Sequence, residues 1–262
     1  MPEARVVTFT TDFGLQDPFV GIMHGVVLNI QPDVRIIDIS HAVRSFDILD
    51  GAFTIAQAYR FFPARSVHVI VVDPGVGSER RPIVAETEDY LFVAPDNGVL
   101  TLIEAREPRF VVRQITAERY FLQPVSQTFH GRDIFSPVAA WLAKGVRPAD
   151  LGPTITDYVR LPIAGVSRSA EGEIRGTVLK VDKFGNLITN LTAQDLASAT
   201  RIQLRVAGHL ITRLCHSYAE GEGDDLFAIF GSSGYLEIAA RQDSTAKRLG
   251  VREGEQVRVI LG

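Results

Sequence analysis

The sequence predicts a two-domain fold: an α/β N-terminal domain with a mostly parallel sheet, then a small all-β, barrel-like C-terminal domain. Over the first half, apolar β-branched runs alternate with helical apolar spacing, which is typical of βαβ units. Residues 148–162 are rich in proline, aspartate and threonine, and short strands separated by turns follow them. We therefore place the domains at 1–155 and 171–262, with a linker at 156–170.

Composition restricts the possible functions. The 262 residues are 46% apolar and 22% charged, which is ordinary for a globular protein, and the net charge of -4 gives no basic surface for nucleic acid. The single cysteine excludes an internal disulfide and a cysteine metal cluster. Neither a signal peptide nor an apolar run of membrane-spanning length is apparent, so we expect a cytoplasmic protein without membrane partners.

The first domain is predicted to alternate strands and helices. Short β-branched, apolar runs bounded by turn residues predict strands at 6–11, 34–39, 66–72, 82–86, 90–94 and 110–115. Apolar residues at helical spacing predict helices at 19–30, 47–59, 99–105 and 134–142. This order favours a sheet with helices on its faces.

The second domain is predicted to consist of strands and hairpin turns. Its strands are predicted at 176–181, 186–189, 201–206, 226–230, 236–240 and 256–261. Two of its turns carry unusual polar sets: an acid, an aromatic and an amide at 181–186, and a serine and glycine turn at 230–237. Both sets also suit ordinary hairpin chemistry, so a structural role stays open for each.

The stretch 69–81 is the centre of the predicted site. An apolar strand there ends in Asp73, a proline and two glycines, and Arg80 and Arg81 follow. Ligands of open α/β sheets bind at the carboxyl ends of strands, where the chain also places the polar residues Asp12, Asp17, Asp96 and Asn97. The alternative is a tight turn with a solvated acid and a surface arginine pair. Because no glycine-rich phosphate loop follows a strand, the carboxylates instead suit ribose hydroxyls or an ammonium group.

Histidine spacing gives no metal motif. No pair matches the spacing of H-E-x-x-H, so we expect no bound metal and no cofactor. A structural role is favoured for His24 in the first helix, for His41 after a strand and for His68 within a strand. His130 differs because it opens a helix from a polar loop, and both a functional and a structural role stay open for it.

Six motifs together resemble the S-adenosylmethionine (SAM) hydroxide adenosyltransferase family, which is related to the fluorinase and chlorinase. They are the stretches 11–14 with Asp17, 72–77 with Arg80, 94–98, 128–133, 182–186 and 232–236. The likeness covers nearly the whole chain in the same order. It implies an α/β domain followed by a barrel-like domain, and a homotrimer whose active sites lie between the N-terminal domain of one subunit and the C-terminal domain of the next.

The resemblance also implies the reaction and its residues. Water or hydroxide attacks C5′ of SAM without a metal, giving adenosine and L-methionine. The catalytic residues are Asp73, Arg80 and His130. In the substrate set, Asp12 meets the ribose, Asp17 and Asp182 the ammonium, Ser232 and Ser233 the carboxylate, and Phe184, Asn186 and main chain near Ala240 and Gln242 the adenine. Phe46 supplies an aromatic wall, and Thr128, Phe129, Tyr235 and Glu237 complete the expected substrate-binding set.

Two functional alternatives and two assignments stay open. The scaffold also suits an enzyme that uses halide as its nucleophile, although Asp73 should repel a halide and no long insertion separates Asn97 from Thr128. A SAM- or adenosine-binding module without turnover is the other alternative. Arg80 is preferred to Arg81 by spacing alone, and Ser233 stands where fluorinases carry an arginine. The residue that accepts the proton is also open.

Overall fold

The structure, a computed structural model, describes residues 6–163, 165–196, 201–221, 223 and 225–261. Internal contacts divide the chain into one unit that ends at Leu161 and a second that begins at Pro162. This boundary falls inside the linker predicted at 156–170. Within the described residues, no helix combines the length and apolar character needed to cross a membrane.

The first unit contains most of the elements that the sequence predicts. Its strands are β1 (Val6–Thr11), β2 (Arg35–Ser40), β3 (Val67–Val71), β4 (Pro82–Glu86), β5 (Leu91–Pro95), β6 (Val111–Gln114) and β7 (Thr154–Ile155). Its helices are α1 (Phe19–Ile30), α2 (Ile48–Ala58), α3 (Thr101–Glu104) and α4 (Ser136–Lys144). The short β7 was not predicted, and the helix expected from residue 134 is preceded by a π-helical turn, Gly131–Phe135.

The sheet of the first unit is mixed, so the prediction of a mostly parallel sheet is wrong. Its order is β2-β1-β3-β5-β4-β6-β7, in which the first four strands run parallel and the remaining pairs run antiparallel. The reason lies in the link between β4 and β5. It spans only residues 87–90, whereas a parallel crossover needs about a dozen residues or more. Thr87 closes this hairpin by donating its N–H to the carbonyl oxygen of Tyr90 at 3.0 Å.

Strands β1 and β3 bring the segments that follow them, with Asp12 and Asp73, to the same edge of the sheet. Strands β1 and β3 are buried along their whole length and form one core with α1 and α4. This burial is expected where apolar runs are covered on both faces. In the register of the pair, Thr11 lies opposite Val71, so the residues that follow the two strands leave the sheet at the same edge.

The second unit is a curled sheet of antiparallel pairs with one parallel pair, β13 with β14. Its strands are β8 (Ser167–Arg168), β9 (Ile174–Val181), β10 (Leu187–Thr192), β11 (Ile202–Val206), β12 (His209–Ile211), β13 (Leu214–Cys215), β14 (Leu226–Phe230), β15 (Tyr235–Ala240) and β16 (Gln256–Leu261), with one helix, α5 (Thr245–Leu249). Burial alternates along β11, which is typical of a strand with one face on a core. The sheet curls into a half-barrel, which agrees with the prediction of a barrel-like domain.

Candidate active site

Asp12 and Asp73 follow neighbouring strands at the same edge of the first sheet. The Asp12 carboxylate accepts the backbone N–H of Phe46 at 2.8 Å. Phe46 has a φ of 67°, an unfavourable value for a residue with a side chain, and the residue is 73% exposed. A strained backbone therefore holds an aromatic side chain in solvent beside the end of β1; the family resemblance implies an aromatic wall at this residue.

Asp73, Arg80 and His130 form one hydrogen-bonded group. The Arg80 guanidinium grips the Asp73 carboxylate with two bonds, from Nε to Oδ1 at 3.0 Å and from Nη2 to Oδ2. Nη2 also lies 2.6 Å from His130 Nδ1. The side chains of Arg80 and Asp73 are only 9% and 5% exposed. Arg80 thus contacts both other residues of the predicted catalytic group, although 50 residues separate it from His130 in the chain.

Two local features hold the loops of this group together. Gly77 has a φ of 79°, and a Cβ there would collide with the carbonyl oxygen of Gln127, so only glycine lets the 73–80 loop lie against the loop before His130. Below His130, the fully buried Asp133 accepts the backbone N–H of Ser126 at 2.8 Å. This bond joins the two ends of the loop that carries His130.

The contact with Arg80 determines the state of His130. A guanidinium only donates, so Nδ1 of His130 must be the acceptor and the ring is neutral. Burial lowers the pKa of His130 below its usual value, and the Arg80 charge lowers it further. The Asp73 charge and a backbone hydrogen bond with Ser126 offset part of this effect. His130 is therefore uncharged at neutral pH.

Arg80, not Arg81, faces Asp73. Arg81 points elsewhere and binds Asp96 through Nε at 2.8 Å and Asp157 through Nη1 at 3.0 Å. Asp96 also accepts the backbone N–H of Val159 at 2.8 Å, so this predicted polar turn residue serves the scaffold. Asn97 does the same by donating its amide to the Val72 carbonyl at 2.8 Å.

The first unit contains three further residues of the predicted substrate-binding set: Asp17, Thr128 and Phe129. Asp17 and Thr128 are exposed. Phe129 packs its ring against Phe13 and Phe19, with centroids 6.0 and 5.3 Å away. Phe129, the residue before His130, is therefore part of an aromatic cluster with Phe13 and Phe19.

In the second unit, the turn at 182–186 lines a cavity of about 880 Å³. The Asp182 carboxylate organises this turn by accepting the backbone N–H groups of Phe184 and Asn186 at 2.9 and 2.8 Å, and the Asn186 amide at 2.9 Å. The Phe184 ring is 75% exposed, whereas Asn186 is buried. Ala240 and Gln242 also line the cavity, whose size is typical of a small-molecule site.

The serine turn packs against the buried carboxyl group of Glu237. Glu237 is buried, and it accepts the Tyr218 hydroxyl at 2.6 Å. Burial raises the pKa of Glu237 above its usual value, and the bond from Tyr218 only partly offsets this. A Cβ on Gly231 would collide with Glu237, so the turn bearing Ser232 and Ser233 lies directly against it.

Tyr218 is the residue that sequence reasoning missed. It also lines the cavity, yet it lies in a short turn without any motif.

Ser233 Oγ is buried and has no hydrogen-bond partner among the described residues. Tyr235, at the start of β15, completes the turn. The predicted residues thus fall into two sets, one in each unit.

Comparison with known proteins gives matches to both units. Residues 7–152 match the SAM hydroxide adenosyltransferase N-terminal domain, and residues 176–258 match the C-terminal domain of the same name. A relative named (R)-S-adenosyl-L-methionine hydrolase, from Salinispora tropica, is 40% identical, and the alignment covers 98% of each chain. A fluorinase of Nocardia brasiliensis is 25% identical over 98% of this chain and 97% of its own.

Solved structures give the same result for the fold. The crystal structure of an uncharacterised conserved protein from Thermotoga maritima superposes with a TM-score of 0.90 at 33% identity. The superposition covers 97% of this chain and 99% of the other. Two matching domains and full-length relatives above 30% identity together fix the family to which the chain is assigned.

Proposed function

Because the chain belongs to the SAM hydroxide adenosyltransferase family, we propose that it hydrolyses (R)-S-adenosyl-L-methionine to adenosine and L-methionine. The oxygen of water bonds to C5′ of the ribose, and the bond between C5′ and sulfur breaks. Its electron pair goes to sulfur, which leaves as the neutral thioether of methionine, and one proton is released. The substrate brings its own leaving-group activation in the sulfonium charge, so the protein's task is to position the nucleophile.

The observation that supports this role is the unused end of Arg80. Nη1 is buried and has no hydrogen-bond partner among the described residues, while Nε and Nη2 are held by Asp73 and His130. Leaving a buried cationic donor unpaired is unfavourable, so the group suits an oxygen ligand that arrives with the substrate. In our proposal Nη1 holds the attacking water or hydroxide, and its charge favours loss of the water proton.

Asp73 and His130 act on Arg80 in this proposal. The bidentate bond with Asp73 fixes the plane of the guanidinium, and the neutral His130 ring takes the remaining donor of Nη2. Asp73 also balances the Arg80 charge, so a cationic sulfonium can approach without net repulsion. A protonated His130 would instead face Arg80 as a second cation and lose its acceptor.

The two residue sets divide the substrate between them. Asp12 takes the ribose diol beside the Phe46 ring. The cavity of the second unit takes the adenine, with Phe184 stacking, Asn186 on the base edge and main-chain groups near Ala240 and Gln242. Around the amino-acid end, Asp17 and Asp182 hold the ammonium while Ser232 and Ser233 hold the carboxylate. Thr128, Phe129, Tyr235 and Glu237 line or support these surfaces.

We also propose that the protein works as a homotrimer in which the first unit of one copy and the second unit of another share a substrate. The exposed rings of Phe46 and Phe184, 73% and 75% accessible in the single chain, are consistent with surfaces that a second copy or a substrate covers. No cofactor enters this scheme. The cytoplasmic location expected from the sequence stays a prediction.

Water is preferred to halide as the nucleophile, but for a different reason than the sequence suggested. Arg80 neutralises Asp73, so repulsion of a halide by the free carboxylate is weaker than expected. The preference instead rests on the hydrolase relative at 40% identity against the fluorinase at 25%.

Product analysis tests the proposal directly. The protein is incubated with (R)-SAM, with and without chloride or fluoride, and the nucleosides are separated by HPLC. We expect adenosine and methionine in equal amounts, unchanged by either halide. A 5′-halo-5′-deoxyadenosine product would instead establish halide transfer, and adenosine binding without methionine release over hours would establish a binding module.

A further inference from the structure

A second polar cluster lies outside the proposed active site, at the junction of α1, β2 and the loop that follows β2. It consists of His24, Asp38 and His41, and one ligand atom from each lies within 4.8 Å of the others. Asp38 Oδ1 is 2.9 Å from His24 Nε2 and 3.1 Å from His41 Nε2. Two imidazoles and one carboxylate therefore meet around a single point.

The spacing fits a metal ion. Ligand atoms at about 2.0–2.1 Å from an ion and about 90–110° apart lie about 2.9–3.4 Å from one another. The two nitrogen–oxygen distances fall in this range, and the ligand nitrogens of the two histidines lie within 4.8 Å of each other. A set of two histidines and one carboxylate is typical of divalent transition metals and leaves coordination positions for water. Mg²⁺ and Ca²⁺ are disfavoured because they prefer oxygen ligands.

The orientation of His41 is the independent observation. Its side chain is 4% exposed, and Nε2 has no hydrogen-bond partner in the described part of the chain, although Asp38 Oδ1 lies 3.1 Å away. The close approach thus lacks hydrogen-bond alignment, and the ring nitrogen points beside the carboxylate rather than at it. A buried nitrogen of this kind costs free energy unless another ligand takes its lone pair.

The other nitrogen of His41 is already fixed. Nδ1 lies 2.8 Å from the Thr11 hydroxyl, which is fully buried at the end of β1. In the tautomer whose Nδ1–H donates to Thr11, Nε2 is left unprotonated for a metal, and metal-binding histidines in general donate their other ring N–H to an oxygen acceptor. His24 and Asp38 are 26% and 37% exposed, so an ion and its waters can enter from that side.

We propose that His24, Asp38 and His41 bind one divalent transition-metal ion such as Zn²⁺ or Co²⁺. The ion links α1, through His24, to β2, through Asp38, and to the loop after β2, through His41. Its binding therefore stabilises the folded chain. It takes no part in the SAM chemistry. No sequence motif marks this site, because the three ligands occupy positions 24, 38 and 41, a spacing that matches no metal motif.

Metal titration of chelator-treated protein tests the proposal. We expect one equivalent of Zn²⁺ per chain, a rise in Tm on binding, and a Co²⁺ absorption spectrum with intensified visible bands from imidazole ligands. His24→Gln should weaken Zn²⁺ binding at least tenfold, and Thr11→Val should weaken it about 10–100-fold through His41. His209→Gln, at an exposed histidine in β12, is the matched control and should bind Zn²⁺ like the unmutated protein.

Either of two results would overturn the site. One is a Co²⁺ spectrum identical to that of the free aqueous ion, which requires no variant. The other is equal Zn²⁺ affinity for His24→Gln and the unmutated chain. The cluster would then be a hydrogen-bonded pair of His24 and Asp38 with His41 beside it.

Discussion

Exchanging Arg80 for lysine isolates the role of the guanidinium, because Arg81 next to it supplies the matched control. Arg80 makes three hydrogen bonds, two to Asp73 and one to His130, and keeps Nη1 unpaired in the described structure. A lysine ammonium keeps the charge, but its single nitrogen cannot reproduce the planar fork that spans both Asp73 oxygens and His130, so we expect it to keep one of the three bonds. Arg81→Lys alters contacts with Asp96 and Asp157 instead.

The magnitude follows from the two bonds that Arg80→Lys removes. Hydrogen bonds to charged groups are worth about 1.5–3 kcal/mol each, so their loss costs about 3–6 kcal/mol. If this acts on the transition state, kcat falls roughly 10²–10⁴-fold, at about 1.36 kcal/mol for each factor of ten. For Arg81→Lys we expect a lower Tm and a kcat within about threefold of the unmutated protein, because its partners serve the scaffold.

The assay is initial-rate formation of adenosine at saturating SAM, followed by HPLC, with Tm measured for each variant. KM should change little, because the residues proposed to bind the substrate are unaltered. A kcat for Arg80→Lys within threefold of the parent, or an equal loss of activity in Arg81→Lys, would contradict this role of the guanidinium.

Three other predictions follow from single residues. Gly77→Ala should lower both kcat and Tm, because its Cβ meets the Gln127 carbonyl; Gly172→Ala has a similar φ of 84° with open space around it and should cost less. Activity should fall as pH drops through the lowered pKa of His130, because the protonated ring can no longer accept from the guanidinium; a pH profile of kcat without an acidic limb in the folded protein would contradict this. Burial lowers the pKa of His68 to about 3, so the unfolded state binds a proton that the folded state does not, and stability should be lost as pH falls below about 6.5. Between pH 7 and 5 this one group should remove about 2 kcal/mol from the free energy of unfolding, and urea titrations should show a shallower pH slope for His68→Phe.

Local pattern predicted the elements of the fold better than their pairing. Strand β4 begins and ends at the predicted residues 82 and 86, and α1 matches its predicted span. Pairing direction was wrong because β-branched composition is the same in parallel and antiparallel strands. The four-residue link after β4 was the available sign of a hairpin, and it outweighs composition.

For the candidate site, too, some features were visible in the local sequence and others only in the three-dimensional structure. The acids at strand ends and the His130 loop were visible as motifs, and the resemblance supplied their roles. The choice of Arg80 needed the structure, since two adjacent arginines differ only in which carboxylate each one faces. Tyr218 and the group of His24, Asp38 and His41 were not predicted for another reason: no short sequence motif marks either of them.

The central claim is that water attacks C5′ of SAM. The most direct measurement is turnover of (R)-SAM in ¹⁸O-labelled water, with the products analysed by mass spectrometry. We predict one ¹⁸O atom in adenosine, at the 5′-hydroxyl, and none in methionine. Adenosine without the label, or no release of methionine by the intact protein, would contradict it.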